Sequence, residues 1–400
     1  CRGSVTPPAS KSHLQRLLFA AALAPGESLL HGVSFCQDTE AAVDAVRALG
    51  ARVVIDGDTL RVVGADPRAR AEAVTVPCRE SGAVLRFSAP LCLLSEQTAT
   101  LTGAPSLLRR PLDHLTQLCR QQGLTCRTDE LSVTLTGPLS GGAITLSGGV
   151  GSQLVSGLFF ALPLCRGESV LTLLPPVVSR PYLAMTARVL AGFGVRIEPI
   201  SEHTYHIPGE QRYAPTVATA ERDWSSAAPF FALDLSGGSV RVEGLDPASD
   251  QADAVAPALF ERITRGETMI DLADCPDLGP LCFVLASLCE GGVFLGTDRQ
   301  RNKESDRLEA TKAALEACGG RIEIARDAVR VHAARLHPPA APLDGADDHR
   351  VVMALSVLLA HVGGDLDDRG AVAKSYPDFF SHLRLTGVDC TDLSKGNPNA

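Results

Sequence analysis

The chain has 400 residues and carries 46 acidic against 37 basic residues, a formal net charge of −9. A single hydrophobic core rarely exceeds about 250 to 300 residues, so this length predicts two domains. Nucleic-acid binding requires a net positive face, and anionic membranes attract the same charge, so the acidic balance argues against both partners. We therefore expect the functional basic residues in local clusters that face a small anionic ligand.

Apolar stretches indicate buried helices rather than membrane spans. The longest ones, residues 281–289 and 351–362, are shorter than the roughly 18 residues that a spanning helix needs. The first residues show no secretory signal, although the sequence begins at Cys1 rather than at Met, so a removed leader stays open. We expect a soluble protein.

The 12 cysteines form no C-x-x-C pair and lie in apolar segments, which favours a reduced, cytoplasmic protein. Cys275, Cys282 and Cys289 are spaced seven apart, which on a helix forms one buried stripe. Core packing is therefore favoured over metal binding, and we expect no metal site.

A unit of about seventy residues recurs along the chain. In each copy an amphipathic helix ends at a glycine, and an alternating strand with a tight turn follows. The first copy, residues 42–64, contains the hairpin signal Asp56-Gly57. The cap glycines are expected at positions 50, 123, 194, 266, 320 and 387. Six units in two groups of three predict an α/β protein whose two domains comprise residues 10–220 and residues 1–9 with 221–400.

Five short polar segments interrupt the apolar pattern, each with a cation beside turn or helix-start residues. One such segment alone is more often a solvated helix face, but the set together favours an anion site between the domains. In chain order these segments are residues 10–16, 109–111, 301–307, 347–350 and 374–377.

The first segment precedes a helix that we expect over residues 14–23, so hydroxyls, backbone N–H groups and the helix dipole can converge on a phosphate or carboxylate. Residues 149–153 offer similar groups before another apolar helix. Lys303 and Arg307 are four apart, which would place two cations on one face of a helix start. A dianionic ligand would compensate their repulsion. Asp277 precedes a very apolar helix, where capping and a functional role are equally expected.

These segments, in this order, resemble the motifs of the 5-enolpyruvylshikimate-3-phosphate synthase family along nearly the whole chain. PPASKSHLQR is similar to the family's PGSKS-x-x-x-R opening, and LTGAPSLLRRP, SRPYLAMT, RDWSSAAPFF, CPDL, RNKESDRL, DDHRVVMAL and AVAKSYPDFF continue the series. The resemblance implies an enolpyruvyl transferase fold of two domains, each with three βαβαββ repeats, and an active site in the interdomain cleft. It also implies a monomer without a metal or organic cofactor.

The resemblance further implies transfer of the enolpyruvyl group of phosphoenolpyruvate to the 5-hydroxyl of shikimate 3-phosphate, with release of phosphate. Glu304 and Lys11 would be the proton donor and acceptor candidates at the methylene carbon and the departing phosphate, and Asp277 would lie at the 5-hydroxyl. Shikimate 3-phosphate would be held by Lys11, Ser12, Arg16, Ser152, Gln153, Ser179, Tyr182, Asp277 and Lys303. Phosphoenolpyruvate would be held by Lys11, Gly82, Arg110, Gln153, Arg307, Arg350 and Lys374.

Two segments depart from the family's pattern. Residues 80–83 read Glu-Ser-Gly-Ala where the family often has NAGT, which keeps the glycine but replaces its neighbours. Residues 151–153 read Gly-Ser-Gln where the family has SSQ, so one hydroxyl expected at the substrate phosphate is lost.

Two alternatives stay open. The sister enzyme that uses UDP-N-acetylglucosamine usually carries a catalytic cysteine in the loop before the RP motif. Here that loop, residues 103–106, has none, and Cys119 is expected in the core of the next helix. A non-catalytic relative that binds an anionic metabolite is the second alternative, but it would leave Lys11, Asp277 and Glu304 together without an explanation.

Overall fold

The structure is a computed structural model, and it describes residues 1–368 and 370–391. It divides into two compact units. What we call the N-terminal unit consists of residues 9–221 and 248–252. The C-terminal unit consists of residues 1–8, 222–247, 253–368 and 370–391.

The segment 248–252 differs from the sequence-based assignment, which places it in the second domain. In the structure it belongs to the N-terminal unit. Ser249 Oγ and Gln251 Nε2 donate hydrogen bonds to Glu221 Oε2 at 2.5 and 3.0 Å, and these bonds hold the segment there. Contacts between such distant polar side chains leave no periodic signal in a sequence.

Residues 1–221 contain seven of the described α-helices and thirteen of the described strands. The helices are α1 Lys11–Ala21, α2 Gln37–Ala48, α3 Gly82–Cys92, α4 Pro105–Leu108, α5 Asp113–Gln121, α6 Ser152–Ala161 and α7 Arg180–Gly192. The strands are β1 Arg2–Val5, β2 Glu27–His31, β3 Arg52–Asp56, β4 Thr59–Val63, β5 Val74–Pro77, β6 Ala99–Thr102, β7 Thr125–Thr128, β8 Ser132–Thr136, β9 Gly142–Ser147, β10 Ser169–Leu174, β11 Glu198–Ser201, β12 Thr204–Ile207 and β13 Val217–Thr219.

The chain beyond residue 221 continues with the same kinds of element. Its helices are α8 Trp224–Leu235, α9 Ala256–Thr264, α10 Gly279–Leu288, α11 Arg307–Ala317, α12 His349–Val362 and α13 Phe379–Leu385. Its strands are β14 Ser239–Val242, β15 Met269–Asp271, β16 Gly291–Leu295, β17 Arg321–Ile324, β18 Ala328–His332, β19 Leu343–Asp344 and β20 Leu366–Asp367. None of the helices in the described ranges is long and apolar enough to cross a membrane. The two longest apolar stretches of the sequence form the buried helices α10 and α12, as predicted.

Four sheets have the same strand order, in which a parallel pair is followed by two antiparallel neighbours. They are β13-β2-β4-β3, β5-β6-β8-β7, β9-β10-β12-β11 and β15-β16-β18-β17. The parallel pairs β1-β14 and β19-β20 form the two remaining sheets. The predicted mixed α/β architecture of six related units is confirmed. The fourth unit lacks its own hairpin, because α9 is followed directly by β15, which explains the shorter spacing of cap glycines there.

The glycines that end the repeat helices have the left-handed conformation in five of the six predicted places. Those five, Gly50, Gly123, Gly194, Gly266 and Gly387, have φ values of 105°, 67°, 76°, 76° and 79°. The sixth prediction, Gly320, is wrong by one residue, since Gly319 has the positive φ of 83°. Gly320 instead donates its N–H to the carbonyl of Leu315 at 2.7 Å, the bond that closes such a helix end.

The core of the N-terminal unit is built on the helices that open its three repeats. Phe19 of α1, Phe87 of α3 and Phe160 of α6 are fully buried and lie 5.4, 5.9 and 5.3 Å apart between ring centroids. Aromatic pairs at this separation stabilise a core beyond their buried area alone. The three helices therefore pack tightly against one another, which fixes where their first turns lie.

The three cysteines spaced seven apart pack in the core of the C-terminal unit as predicted, but not as one helical stripe. Cys282 lies in α10, whereas Cys275 precedes the helix and Cys289 follows its last residue. Cys275 and Cys282 are buried in the hydrophobic core, and Cys289 packs against it. All 12 cysteines are free thiols.

Candidate active site

The starts of the repeat helices in the N-terminal unit lie close together. Gln15 of α1 donates a hydrogen bond to the hydroxyl of Ser81, the residue before α3, at 3.3 Å. Gln153 in the first turn of α6 has its side-chain oxygen 3.5 Å from where a Cβ on Gly82 would stand. Helix starts offer unpaired N–H groups and a partial positive charge, so their meeting point suits an anion.

Lys11 lies in the first turn of α1, because this helix begins three residues earlier than predicted. Ser10 caps the helix by accepting a hydrogen bond from the backbone N–H of His13. The Lys11 ammonium forms an ion pair with Asp38 at 2.9 Å, and Asp38 is nearly buried. Asp38 was not predicted as a site residue, because it lies far from Lys11 in the sequence and no motif links the two residues.

Arg16 is buried beneath the first turn of α1, with 3% of its surface exposed. Its Nε donates to the hydroxyl of Thr186 at 2.8 Å, and its Nη1 donates to the carbonyl of Ser12 at 2.8 Å. The guanidinium also lies 5.2 and 5.5 Å from the ring centroids of Phe87 and Tyr182. Burial lowers the pKa of Arg16 to about 10, which still leaves it charged at neutral pH.

Gly82 lies at the start of α3 where two guanidinium groups converge. A Cβ placed on this residue would come 3.0 Å from Arg110 Nη1 and 3.1 Å from Arg86 Nη1. Arg86 also donates to the carbonyl of Gly82 at 3.3 Å. The structure therefore brings together Gly82, Arg110 and Gln153, three of the residues predicted for phosphoenolpyruvate. Arg86 joins them, although no sequence pattern marked it as a site residue.

The remaining predicted residues of the N-terminal unit lie at two helix starts. Ser152 is buried in the first turn of α6, and Ser179 and Tyr182 lie at the start of α7. Ser179 has a left-handed backbone with φ 57°. Non-glycine residues in this region cost free energy and concentrate at functional sites. The fold thus holds the backbone of Ser179 in a conformation that a non-glycine residue disfavours.

In the C-terminal unit the predicted residues meet at one carboxylate. Asp277 lies in a short turn before α10, and its Oδ1 contacts Lys303 Nζ at 3.2 Å and Arg307 Nη1 at 2.8 Å. Arg350 Nη2 lies 3.9 Å from the other oxygen. A helix-capping role for Asp277 is not observed, because α10 has no side-chain cap and the carboxylate binds these cations instead.

Arg307 is fully buried and bound by three carboxylates. Besides Asp277, its Nη2 donates to Glu304 at 2.9 Å and its Nε donates to Asp348 at 2.8 Å. Lys303 does not share a helix face with it as predicted, since α11 begins at Arg307 and Lys303 precedes the helix. The sequence predicts that a dianionic ligand compensates the repulsion between these two cations. In the structure, carboxylates of the protein itself compensate it.

These contacts set the charge states in the cluster. Burial by itself raises the pKa of Asp277, but the charges of Lys303, Arg307 and Arg350 outweigh that effect and hold the pKa well below its usual range. Burial lowers the pKa of Lys303, and Asp277 opposes that change. At neutral pH the carboxylate of Asp277 is therefore ionised.

Two further carboxylates in this unit were not assigned from the sequence. Asp348 was part of a noted charge segment, but only Arg350 was chosen from it. The side chain of Asp348 is completely buried and accepts hydrogen bonds from Ser305, from Arg307 and from the backbone of Arg350. Asp253 is also buried and accepts a hydrogen bond from Ser225. Lys374, the last predicted residue, is buried in a short turn before α13.

Comparison with known proteins places this arrangement in a family. The family model of EPSP synthase (3-phosphoshikimate 1-carboxyvinyltransferase) matches residues 1–383. The 3-phosphoshikimate 1-carboxyvinyltransferase of Methanosphaerula palustris is 36% identical over 410 residues, which cover 96% of each chain. The chain belongs to the EPSP synthase family. The homologous enzyme of Methanocorpusculum labreanum is 35% identical over 414 residues, covering 97% of this chain and 96% of the relative.

A solved structure supports the fold independently. The EPSP synthase of Acinetobacter baumannii superposes with a TM-score of 0.76 at 21% identity and covers 97% of this chain and 96% of that one. Members of the family thus share this architecture over nearly the whole chain. Cys119, the nearest cysteine after the loop where the sister enzyme carries its nucleophile, is 1% exposed in the core of α5, as predicted.

Proposed function

We propose that the chain transfers the enolpyruvyl group of phosphoenolpyruvate to the 5-hydroxyl of shikimate 3-phosphate and releases phosphate. Membership in the EPSP synthase family supports this reaction. The observation that carries it in the structure is the cluster in which Asp277 meets Lys303 and Arg307, with Glu304 on the same guanidinium. These carboxylates compensate the buried cations, but they also oppose the binding of an anionic metabolite. A site that carries Glu304 and Asp277 beside its cations therefore favours proton transfer over binding alone.

Shikimate 3-phosphate is assigned to residues of both units. In the N-terminal unit the hydroxyls of Ser12, Ser152 and Ser179, together with Gln153, supply neutral hydrogen bonds at helix starts, and Lys11 supplies charge. Arg16 supports this set from below by holding the carbonyl of Ser12. In the C-terminal unit Asp277 and Lys303 bind the ring hydroxyls.

Phosphoenolpyruvate carries a carboxylate and a phosphate, so its site requires several cations. Gly82, Arg110 and Gln153 converge in the N-terminal unit, and the bare Cα of Gly82 leaves room for an anion between two guanidinium groups. We assign Arg307, Arg350 and Lys374 to the same ligand. Arg307 is planar and can bind an oxyanion through two parallel hydrogen bonds, but a ligand must compete there with Asp277 and Glu304.

The chemistry consists of an addition and an elimination. The 5-hydroxyl oxygen bonds to C2 of phosphoenolpyruvate while the methylene carbon C3 takes up a proton. The C2–O bond to phosphate then breaks, and C3 loses a proton as the double bond forms again. We assign Asp277 to accept the hydroxyl proton, and its affinity for that proton rises when an incoming anion competes for Arg307 and Arg350.

Glu304 and Lys11 are assigned to the two remaining proton positions. Glu304 is mostly buried beside Arg307 and serves at the methylene carbon of phosphoenolpyruvate. Lys11 forms an ion pair with Asp38 and serves at the departing phosphate.

A phosphate-release assay tests the function. The purified chain is incubated with phosphoenolpyruvate and either shikimate 3-phosphate or UDP-N-acetylglucosamine, and phosphate is measured against a reaction without acceptor. We expect phosphate release only in the reaction that contains phosphoenolpyruvate and shikimate 3-phosphate. Release only with the nucleotide sugar identifies the sister activity, and release with neither acceptor supports a non-catalytic relative.

The assembly and compartment belong to the same proposal. We expect a monomer, which sedimentation velocity measures directly. The free state of all 12 thiols supports a reducing compartment such as the cytoplasm. Cell fractionation with an antibody to the chain checks this assignment.

A further inference from the structure

Gln300 and Gly279 make an unusually close contact beside the Asp277 cluster. Gln300 lies in the short turn Asp298–Asn302, which leads directly into Lys303, and it is completely buried. Gly279 begins α10, two residues after Asp277. A Cβ placed on Gly279 would lie only 2.2 to 2.5 Å from the amide atoms of Gln300. The amide therefore rests on the bare Cα of this glycine.

The backbone of Gly279 does not itself demand a glycine. Its φ of −51° and ψ of −57° are ordinary right-handed helical values that any residue adopts. The space taken by Gln300 is one reason for a glycine here. The following Pro280 is a second, because a side chain before proline is disfavoured in helical conformation.

The turn that carries Gln300 is held from its other side as well. The backbone N–H of Asp298 donates to Asp327 at 2.9 Å, and Arg301 donates to the carbonyl of Ala325 at 3.3 Å. With the hairpin between β17 and β18 behind it, the turn cannot retreat freely from α10. The thickness of the Gln300 side chain then decides how far Lys303 lies from Asp277.

We propose that Gln300 is a positioning residue whose side chain, packed on Gly279, sets the separation of 3.2 Å between Lys303 Nζ and Asp277 Oδ1. This inference rests on the proposed function of Asp277 and Lys303. Neither polar atom of the Gln300 amide has a hydrogen-bond partner among the described residues. The side chain thus acts through its bulk rather than through polar contacts.

Four variants separate bulk, polarity and local strain. Gly279→Ala forces the two segments apart, whereas Gln300→Leu keeps a similar volume and removes the polar atoms. Gln300→Ala empties the space, and the double variant Gly279→Ala/Gln300→Ala fills it again from the opposite side. Gly292→Ala in β16 is the matched control, since a Cβ there meets its neighbours only at ordinary distances of 3.5 Å or more.

We expect Gly279→Ala to lower kcat/KM for shikimate 3-phosphate at least about ten-fold, because displacements of reacting groups by about 1 Å have large kinetic effects. The double variant should recover to within about three-fold of the wild type. Gln300→Leu and Gly292→Ala should keep wild-type kinetics. In Gly279→Ala the ammonium of Lys303 should lie farther from Asp277 and lower its pKa less, while Arg307, Arg350 and Asp253 remain in place. The acid limb of the pH profile should therefore move to higher pH.

Three results overturn the proposal. Failure of the double variant to recover shows that Pro280, not Gln300, requires the glycine. Loss of activity in Gln300→Leu shows that the amide's polarity matters. A lower melting temperature of Gly279→Ala with unchanged kinetics at 25 °C shows a purely structural role.

Crystal structures of the same variants measure the Lys303–Asp277 distance without any substrate. An unchanged distance in Gly279→Ala contradicts the spacing role whatever the activity. A wild-type enzyme that releases no phosphate contradicts the proposed function instead, while a lengthened distance in Gly279→Ala that returns in the double variant still supports the spacing.

Discussion

Arg307 shows how the role of a single side chain depends on neighbours that are distant in sequence. It lies in a run of charged residues that would be solvated on an ordinary helix. In the fold it is buried, and it binds Asp277, Glu304 and Asp348 at 2.8 to 2.9 Å. Removing one of these carboxylates would leave the buried cations with less compensating charge, and the effect would be largest at the completely buried Asp348. Mutations here therefore affect charge balance as well as chemistry, so conservative variants give the clearest tests.

Glu304→Gln tests the proposed proton transfer at the residue scale. The amide keeps the size of the side chain and can still accept a hydrogen bond from Arg307, but it cannot transfer a proton. We expect kcat to fall by about 10²- to 10⁴-fold with little change in the melting temperature. Steady-state phosphate release and thermal unfolding measure the two quantities.

The control for this variant is Glu309→Gln on α11, where the glutamate is exposed and outside the cluster. It should retain full turnover. Equal, near-wild-type activity of both variants would remove Glu304 from the mechanism.

Gly82→Ala tests the phosphoenolpyruvate assignment. The added methyl would press on Arg110 and Arg86 at 3.0 and 3.1 Å, and both contacts are the mobile ends of long side chains. The fold should therefore adapt, while the anion site narrows. We expect KM for phosphoenolpyruvate to rise about ten-fold, equivalent to about 1.4 kcal/mol, with KM for shikimate 3-phosphate nearly unchanged. An equal rise in both KM values would argue against this assignment.

At the scale of elements, the helix ends show what local sequence can and cannot specify. A glycine after an amphipathic helix predicted the left-handed cap correctly at Gly50, Gly123, Gly194, Gly266 and Gly387. The prediction was wrong at Gly319-Gly320, because both glycines can adopt the left-handed conformation. The position of the last helical residue decides which of them does. The start of α1 was placed too late for a related reason, since polar residues that cap or begin a helix carry no apolar periodicity.

Two glycines of the N-terminal unit provide a matched test of this reasoning. Gly123 and Gly192 both have open space where a Cβ would stand, but only Gly123 has a positive φ. Gly123→Ala should lower the free energy of unfolding by about 1 kcal/mol, because alanine is strained in the left-handed region. Gly192→Ala, at the last turn of α7, should raise it by about 0.5 to 1 kcal/mol.

Urea unfolding followed by circular dichroism measures both changes against the wild type. Opposite signs for the two variants are the expected result. A loss of stability in Gly192→Ala as large as in Gly123→Ala would mean that φ is not the deciding difference.

At the scale of the whole molecule, the chain closes its repeats by exchanging strands between distant segments. β1, at the N-terminus, pairs with β14 in the C-terminal unit, and β13 returns to pair with β2 in the N-terminal unit. Each unit thus contains a sheet in which two paired strands are separated by about 190 residues or more of sequence. Unfolding of the C-terminal unit can be followed by itself, because the single tryptophan, Trp224, lies in its helix α8.

Asp253 predicts the pH dependence of that unit. Burial, together with the charge of Asp277, raises the pKa of Asp253 to about 6. The folded state therefore disfavours the ionised form, and this penalty is present above pH 6. It is relieved as the pH falls from about 6 toward the unfolded value near 4, with each pKa unit corresponding to about 1.4 kcal/mol.

Asp253→Asn removes this ionisation while its side-chain oxygen can still accept from Ser225. The variant should be more stable than the wild type at pH 7, and the difference should shrink between pH 6 and pH 4.5. Urea unfolding monitored by Trp224 fluorescence gives both curves. Parallel curves for the two proteins over this range would contradict the raised pKa.

The sequence by itself determined the repeat architecture, the buried helices and most of the residues that gather at the helix starts. Periodicity and cap residues are local properties, and the family motifs name Lys11, Asp277 and Arg307 directly. Only the tertiary structure decided the partners of these residues, such as Asp38, Asp348 and Gln300. Their contacts join side chains far apart in the chain, where charge pairing and available space, rather than any pattern along the sequence, select the neighbour.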